Sequence, residues 1–510
     1  SEIKNLVGPK TKEYSLAGNL IMPGLIESHT HVLWGACRSL FDIYVGFEAS
    51  LSELLDAVKM KCDQVGPDRV IFGGPWRPTM RAKMGSNPRK ILDAISEHHT
   101  IVLHDASQHL MWCNSKALNL AGIVKGCNGF PGGVIEFDPA TDEPNGILAE
   151  TATAPVRALV KRSLVELASA IKEAMRYFNS MGFTGLKEPM AFEEELKTYY
   201  LADQRGELTV HMAAHIVHSS PLGGLPVPFD TMDELRKKYS HENLHLNFAK
   251  IFIDGVAPGF TASFLEPYIP ESGYDVASHD PDRTLLIPRD KLNNMLIELD
   301  NRGYTVKMHA VGDNAIRAGL NAIEAARSAN GMSRLRHEIA HCNFVSDKDL
   351  SRFKLLDAVA ELSPKMWYPN PGTSIQISLL GDTRMQKNHR VKDLLKAGAE
   401  MIYGSDWPAA APDANPWSGL SGMITRCNSD PSYPGVLAPQ QGISLFDALP
   451  LFTANGARAL GMEGLTGKLE QGHWADFIVL DEDILKMPPE QIAFVKPKMT
   501  IWKDQIVYER

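Results

Sequence analysis

KLNNMLIELDNRGYTVKMHA, residues 291–310, is a helical segment followed at once by a short apolar run that ends in a histidine and an alanine. The rhythm recurs around it: VELASAIKEAMRYFNSMG (165–182) before FTGLKEP (183–189), AIRAGLNAIEAARSANG (315–331) before LRHEIAHC (335–342), DKDLSRFKLLD (347–357) before AVAELS (358–363), and VKDLLKAG (391–398) before AEMIYGSDWP (399–408). Helix-then-strand alternation implies parallel strands bridged by helices, an α/β layered or barrel fold. His29, His31, Glu188, Lys250, His309, His341 and Asp406 sit at or just past the ends of such runs. Active sites of (β/α)₈ barrels gather at the C-terminal strand ends, whereas an open doubly wound sheet concentrates function at one switch point. Since no G-x-G-x-x-G or P-loop string follows the early strands, the expectation is a (β/α)₈ TIM-type barrel.

Upstream, MPGLIESHTHVLWGA (22–36) climbs out of a Pro-Gly turn into His29-Thr30-His31. A strand over Ile21–His31 would point both imidazoles the same way, able to grip one ion. With 17 histidines in 510 residues a chance His-x-His pair is common, so the other strand ends must decide. SLSELLDAVKMKCDQV (50–65) reads as a capped amphipathic helix behind a serine. NLVG and YSLAGNLI near the start are weak strands, and GKLEQGHWADFIVLD and KMTIWKDQIVYER near the end are clearer ones; these are expected to pair. The domain expectation is a small composite β domain from 1–22 and 455–510, a barrel from 23–69 and 151–454, and an inserted subdomain, 70–150, covering the barrel mouth.

A chain 44% hydrophobic and 22% charged is ordinary globular material, long enough for more than one domain. The formal charge of −9 argues against a nucleic-acid partner. The six scattered cysteines form no C-x-x-C pair, which suits a reducing compartment. No apolar run reaches the roughly 18 residues of a membrane span. The expected location is the cytoplasm, although a chain opening at Ser1 leaves open a leader removed earlier. The expected partner is a small molecule, with no nucleic acid or membrane and a homodimer as one option.

Zinc and its neighbours take imidazole nitrogen and carboxylate oxygen, and a catalytic site keeps a position for water. His29, His31, His309, His341 and Asp406 supply that donor set from at least four runs. The chain resembles the amidohydrolase superfamily, and within it the YtcJ-like branch, amidohydrolase family 3, which includes N-substituted formamide deformylases. The resemblance rests on PGLIESHTH (23–31), QHLMWCNSKALNLAGI (108–123), GFTGLKEP (182–189), AKIFIDGV (249–256), KMHAVGDNAIRAGL (307–320), RHEIAHC (336–342), GSDWP (404–408) and GKLEQGHWADFIVLD (467–481). HAVGDNA and GSDWP mark the branch; His-x-His and the final aspartate mark the superfamily.

The resemblance implies a metal-bearing barrel, a small β-sandwich from both chain ends and an insertion after the first strand. It makes His29 and His31 first-strand ligands, His309 and His341 fifth- and sixth-strand ligands, and Asp406 the eighth-strand aspartate. Lys250 falls where a carboxylated lysine bridges two metals; carbamylation turns a cation that repels metals into an anionic oxygen ligand. Lys187 and Glu188 compete for that role, and a plain lysine paired with Asp254 is the ordinary reading of Lys250. The implied cofactor is one or two divalent ions, most readily zinc. The family often carries Glu-His where this chain has Ala340-His341, which bears on how the neighbouring ligand is supported.

The expected chemistry is hydrolysis of an amide or N-substituted formamide C–N bond by a metal-bound hydroxide, with Asp406 as general acid and base. A deaminase or cyclic amide ring-opening hydrolase uses the same centre, and a non-catalytic binding or regulatory protein on the same barrel is the reading from another class. Trp34, Trp76, Arg77, His109, Asp254, Asp313 and Trp407 are the candidates for substrate contact or ligand support, Arg77 through a substrate carboxylate.

Overall fold

The computed structural model describes residues 18–106, 108, 110–130, 133–220 and 226–510, together with residues 5, 7–9, 11, 13, 15 and 16. Eight parallel strands run in the order of the chain: β1 (Leu25–Glu27), β2 (Phe183–Ala191), β3 (His211–Val217), β4 (Leu244–Phe252), β5 (Thr305–Ala310), β6 (Glu338–His341), β7 (Val359–Leu362) and β8 (Glu400–Tyr403). Each pairs with its neighbour, and β1 pairs with β2. Between β8 and β1 the ring closes through the segments just beyond both strands. Ser28 N donates to Tyr403 O (2.9 Å), Asp406 N to His29 O (2.8 Å) and His31 N to Trp407 O (2.8 Å). GSDWP and HTH are therefore stitched to each other, backbone to backbone, at the seam of the barrel.

The alternation of a strand explains why runs as apolar as YTVKMHA carry charge. Val306, Met308 and Ala310 pack outward into the main hydrophobic core, so Lys307 and His309 face inward. The helix Arg289–Asn301 precedes β5, as its sequence requires. The barrel floor is apolar: Ile26, Ala213 and Phe248 meet Ala457 and Leu460, and Val359 and Ile402 meet Ala459.

The expected strand over Ile21–His31 is broken in two. Leu20–Pro23 joins an antiparallel sheet with Phe477–Leu480, Pro497–Trp502 and Gln505–Glu509, while Leu25–Glu27 enters the barrel. Gly24 makes the change of sheet, and a Cβ there would lie 2.2 Å from Thr184 Oγ1. His29 lies beyond β1, and His31 is the N-cap residue of the helix Val32–Phe41. Val7 and Gly8 of NLVG form no strand; Leu6 lies outside the described residues. Both chain ends thus feed one four-stranded sheet, fastened to the barrel through Asp476, which accepts from His211 Nε2 (2.8 Å) and Thr466 Oγ1 (2.7 Å).

A third sheet of six strands runs Ile43–Tyr44, Val70–Trp76, Thr100–Asp105, Leu110–Cys113, Pro144–Glu150 and Gly133–Phe137. The helix read from SLSELLDAVKMKCDQV spans Leu51–Gln64, capped by Ser50 and Glu53 in a reciprocal pair. Its Leu54 and Val58 pack on Ile71, Trp76 and Leu103 in a core separate from the barrel's. Among the described residues no helix is long and apolar enough to cross a membrane.

Candidate metal centre

The seam delivers the polar groups. Asp406 Oδ1 stands 3.5 Å from His29 Nε2 and 3.3 Å from His31 Nε2. A divalent ion bound tetrahedrally at about 2.1 Å has ligands about 3.4 Å apart, so the two Asp406 edges match a coordination shell, and all three donor atoms lie within 4.8 Å of one another. Asp406 Oδ1 is buried and lies within ion-pairing range of both imidazoles, as suits an oxygen that faces a cation. The backbone is held in the left-handed region at Asp406 (φ 54°), His341 (φ 71°) and Cys342 (φ 46°). Such conformations cost non-glycine residues about 1–3 kcal/mol each and persist where surrounding structure imposes them. Glu27 does the imposing at the seam, accepting from His29 N (3.0 Å) and Ser405 N (2.8 Å); burial pushes its carboxyl up to about 8.

Around the triad stand further carboxylates. Glu361 Oε2 is 2.5 Å from His29 Nδ1 and Glu188 Oε1 is 3.4 Å from His31 Nδ1. At 2.5 Å the Glu361 contact is a hydrogen bond, too short for two ligands of one tetrahedral ion. Glu188 is itself held by Tyr199 Oη (2.9 Å) and Val32 N (2.8 Å). Burial, then Lys250 and Lys307, drives His29 well below its ordinary value, leaving the neutral imidazole a metal needs. Burial opposes a proton on His31 as well, but Asp406 and Glu188 outweigh it and hold that histidine at about 9.

The ring centroids of His341 lie 4.8 Å from those of both His29 and His309. His341 Nδ1 is buried and unbonded, and burial followed by the neighbouring histidines depresses its proton affinity strongly. His309 turns Nε2 toward Gly255 O (3.2 Å), with Asp254 Oδ1 at 3.9 Å. Lys250 points its ammonium over the Phe252 ring at 4.7 Å, and Phe252 in turn lies against His309. The ordinary Lys250–Asp254 pair is not formed among the described residues: Asp254 accepts from Val311 N, Gly312 N and Ser263 N at 2.9–3.0 Å. Burial, then Lys307, lowers Lys250 to about 7.

Of the other candidates, Trp34 meets His31 edge-on at 5.4 Å. Asp313 accepts from Leu265 N (2.8 Å), bracing the loop after β4. Trp76 is buried in the third sheet with Nε1 donating to Leu103 O, and Arg77 donates to Glu48 O and Ala49 O. The Trp407 ring packs outside the barrel on Tyr177 and Phe178 and against Gly35. These three side chains are engaged in packing or loop contacts. His109 lies outside the described residues.

The matching family model, described as the amidohydrolase family, covers residues 12–508. The chain belongs to the amidohydrolase family. This amidohydrolase is 27% identical over 94% of its length to the Arabidopsis thaliana protein LONG AFTER FAR-RED 3, of which 80% is covered. It is also 27% identical, over 98% of its length, to a Bacillus subtilis protein called putative amidohydrolase YtcJ, covering 91% of that protein. An N-substituted formamide deformylase from Arthrobacter pascens is 23% identical over the whole chain, with 92% of the relative covered. Among solved structures, an uncharacterised metal-dependent hydrolase from Pyrococcus horikoshii superposes with a TM-score of 0.75 at 24% identity, over 96% of this chain and 91% of that one, which establishes the fold. The amidohydrolase is thus a hydrolase on a parallel barrel, and its seam residues fit a divalent cation.

Glu27, Glu361, Glu338 and Lys307 escaped the reading of the sequence as functional. Their signal was there: each is a lone charge within an apolar strand run, in LIES, VAEL, HEIAH and VKMH. A charge at such a position must have a partner across the barrel or between its strands.

Proposed function

We propose that this amidohydrolase cleaves a non-peptide C–N bond, that of an amide or N-substituted formamide, with Asp406 as general base and then general acid. The observation that carries the reading is the Asp406 carboxylate at 3.5 and 3.3 Å from the His29 and His31 ring nitrogens. A divalent ion held there, zinc by its donor set, supplies Lewis acidity toward the scissile carbonyl and acidifies water. Burial raises the proton affinity of Asp406, which suits a group that takes the proton of the attacking water and returns it to the departing amine nitrogen. Glu188 and Tyr199 steady His31, and Trp34 lies against its ring as an apolar wall beside the site.

Lys250 is the proposed second-ion residue. An amine lowered to about 7 is substantially neutral at physiological pH and can add carbon dioxide, releasing a proton and becoming an anionic carbamate. His309 and His341 then supply the imidazoles of that second position. The resemblance to a formamide deformylase supports the formamide choice.

Zinc-supplemented enzyme offered N-substituted formamides, N-acyl amines and cyclic amides is expected to release formate or another acid together with the amine. Ammonia without an acid product contradicts the amide reading and favours deamination.

A further inference from the structure

The barrel interior above the apolar floor carries a chain of alternating charge. Lys187 on β2 donates to Ala459 O at the floor (2.7 Å) and pairs with Glu338 on β6. Glu338 meets Lys307 on β5 at 2.9 Å; Lys307 donates to Ser28 O (2.7 Å) and lies 3.9 Å from Glu361 on β7. Glu361 ends the chain on His29 Nδ1 at 2.5 Å. All of these side chains are buried. Buried ion pairs roughly break even against apolar replacements, so stability alone does not account for four charged side chains here.

Two further observations point at Glu361. Its Oε2 also lies 3.4 Å from the backbone N–H of His341, so one carboxylate touches ligand segments on opposite sides of the centre. The neighbouring positions are kept small around it. A Cβ at Gly404 would stand 2.7 Å from Glu361 Oε1 and 2.5 Å from His29 Cβ. The β6–β7 register, Glu338 beside Val359 and Ile339 beside Ala360, brings Ala340 next to Glu361.

We propose that Glu361 is a positioning residue of the metal centre: it fixes His29 with the proton on Nδ1 and Nε2 directed at the cation, and Lys307, Glu338 and Lys187 anchor it to the barrel floor. The inference rests on the metal reading above. An imidazole whose far nitrogen donates to a carboxylate is both oriented and a better donor, and loss of such partners typically weakens metal binding about 10–100-fold. Ala340 leaves this level of the interior to a carboxylate arriving from the adjacent strand.

The test is competitive titration of chelator-treated protein with zinc(II) alone, beside thermal unfolding of the same samples. Glu361→Ala is expected to bind zinc about 10–100-fold more weakly, with Glu361→Gln, which retains an acceptor, in between. The double variant K307M/E361Q removes one cation and one anion from the interior; it is expected to regain thermal stability but not affinity. Zinc affinity within twofold of wild type in either folded Glu361 variant overturns the proposal, and a fall in unfolding temperature at unchanged affinity marks a purely structural role. If wild type and His29→Ala alike take up no zinc, the metal reading itself fails, and this one with it.

Discussion

The two sides of the barrel mouth differ in how completely they are built. At the β8–β1 seam, His29, His31 and Asp406 stand at coordination spacing, with Glu361 on His29 and Glu188 beside His31. On the β4–β6 side, His309 is turned to a carbonyl, Asp254 is spent on backbone amides, and the unmodified Lys250 amine lies over an aromatic ring. The first side has its carboxylate, Asp406, facing both imidazoles; on the second side Asp254 is 3.9 Å from His309 but taken up by those amides, and Glu361 lies against His29 and the His341 amide, so a modified Lys250 would supply the anionic oxygen. We therefore expect an ion at the seam in every sample, and one on the far side that depends on carbon dioxide.

The largest effects come from the seam. His29→Ala and His31→Ala are each expected to lose the tightly held ion and all measurable turnover, checked by elemental analysis of metal per chain. Asp406→Asn should separate chemistry from binding: turnover falls about 10²–10⁴-fold while the ion stays. Loss of the ion together with turnover in Asp406→Asn would show the carboxylate acting chiefly as ligand.

Lys250→Met is expected to take the metal content from about two ions per chain to one, sparing the seam. Wild type prepared without bicarbonate should match it. Two ions in Lys250→Met would erase the contrast between the two sides.

The dependence on pH is a smaller effect with a definite sign. In chelator-treated protein His31 holds its proton up to about 9, against an ordinary 6.5. A folded value raised above the unfolded one contributes stability that is complete below 6.5 and lost as pH rises through 9. Zinc must displace that proton, so zinc affinity should rise up to tenfold per pH unit across the same window, which calorimetry in buffers of different ionisation enthalpy will register as proton release. Smallest is Trp34→Ala, where loss of an aromatic contact worth about 0.5–1.5 kcal/mol should raise KM by roughly tenfold or less and leave the metal count unchanged.

Much of this was legible beforehand. YTVKMHA was legible as a barrel strand ending in His309, and the structure adds that Val306 and Met308 pack outward in the core. Asp406 and His31 were readable as strand-end groups, but not their meeting: that depends on backbone hydrogen bonds joining residues nearly 380 positions apart. Ile21–His31 misled because alternation was carried through Gly24, where the chain changes sheets. Trp76 and Trp407 were candidates for substrate contact or ligand support; their rings fill cores, while the Trp407 carbonyl accepts from His31 N. Glu361 was passed over because AVAELS looks like any apolar strand with one odd carboxylate, and its partner lies 332 residues away.

The most direct test is a zinc-edge anomalous difference map of the crystalline enzyme, wild type beside Lys250→Met. A peak between His29 Nε2, His31 Nε2 and Asp406 Oδ1 in both crystals, with a second peak near His309 and His341 in the wild type alone, is the predicted result. A seam without a peak, or a seam peak that vanishes with Lys250, would contradict the account.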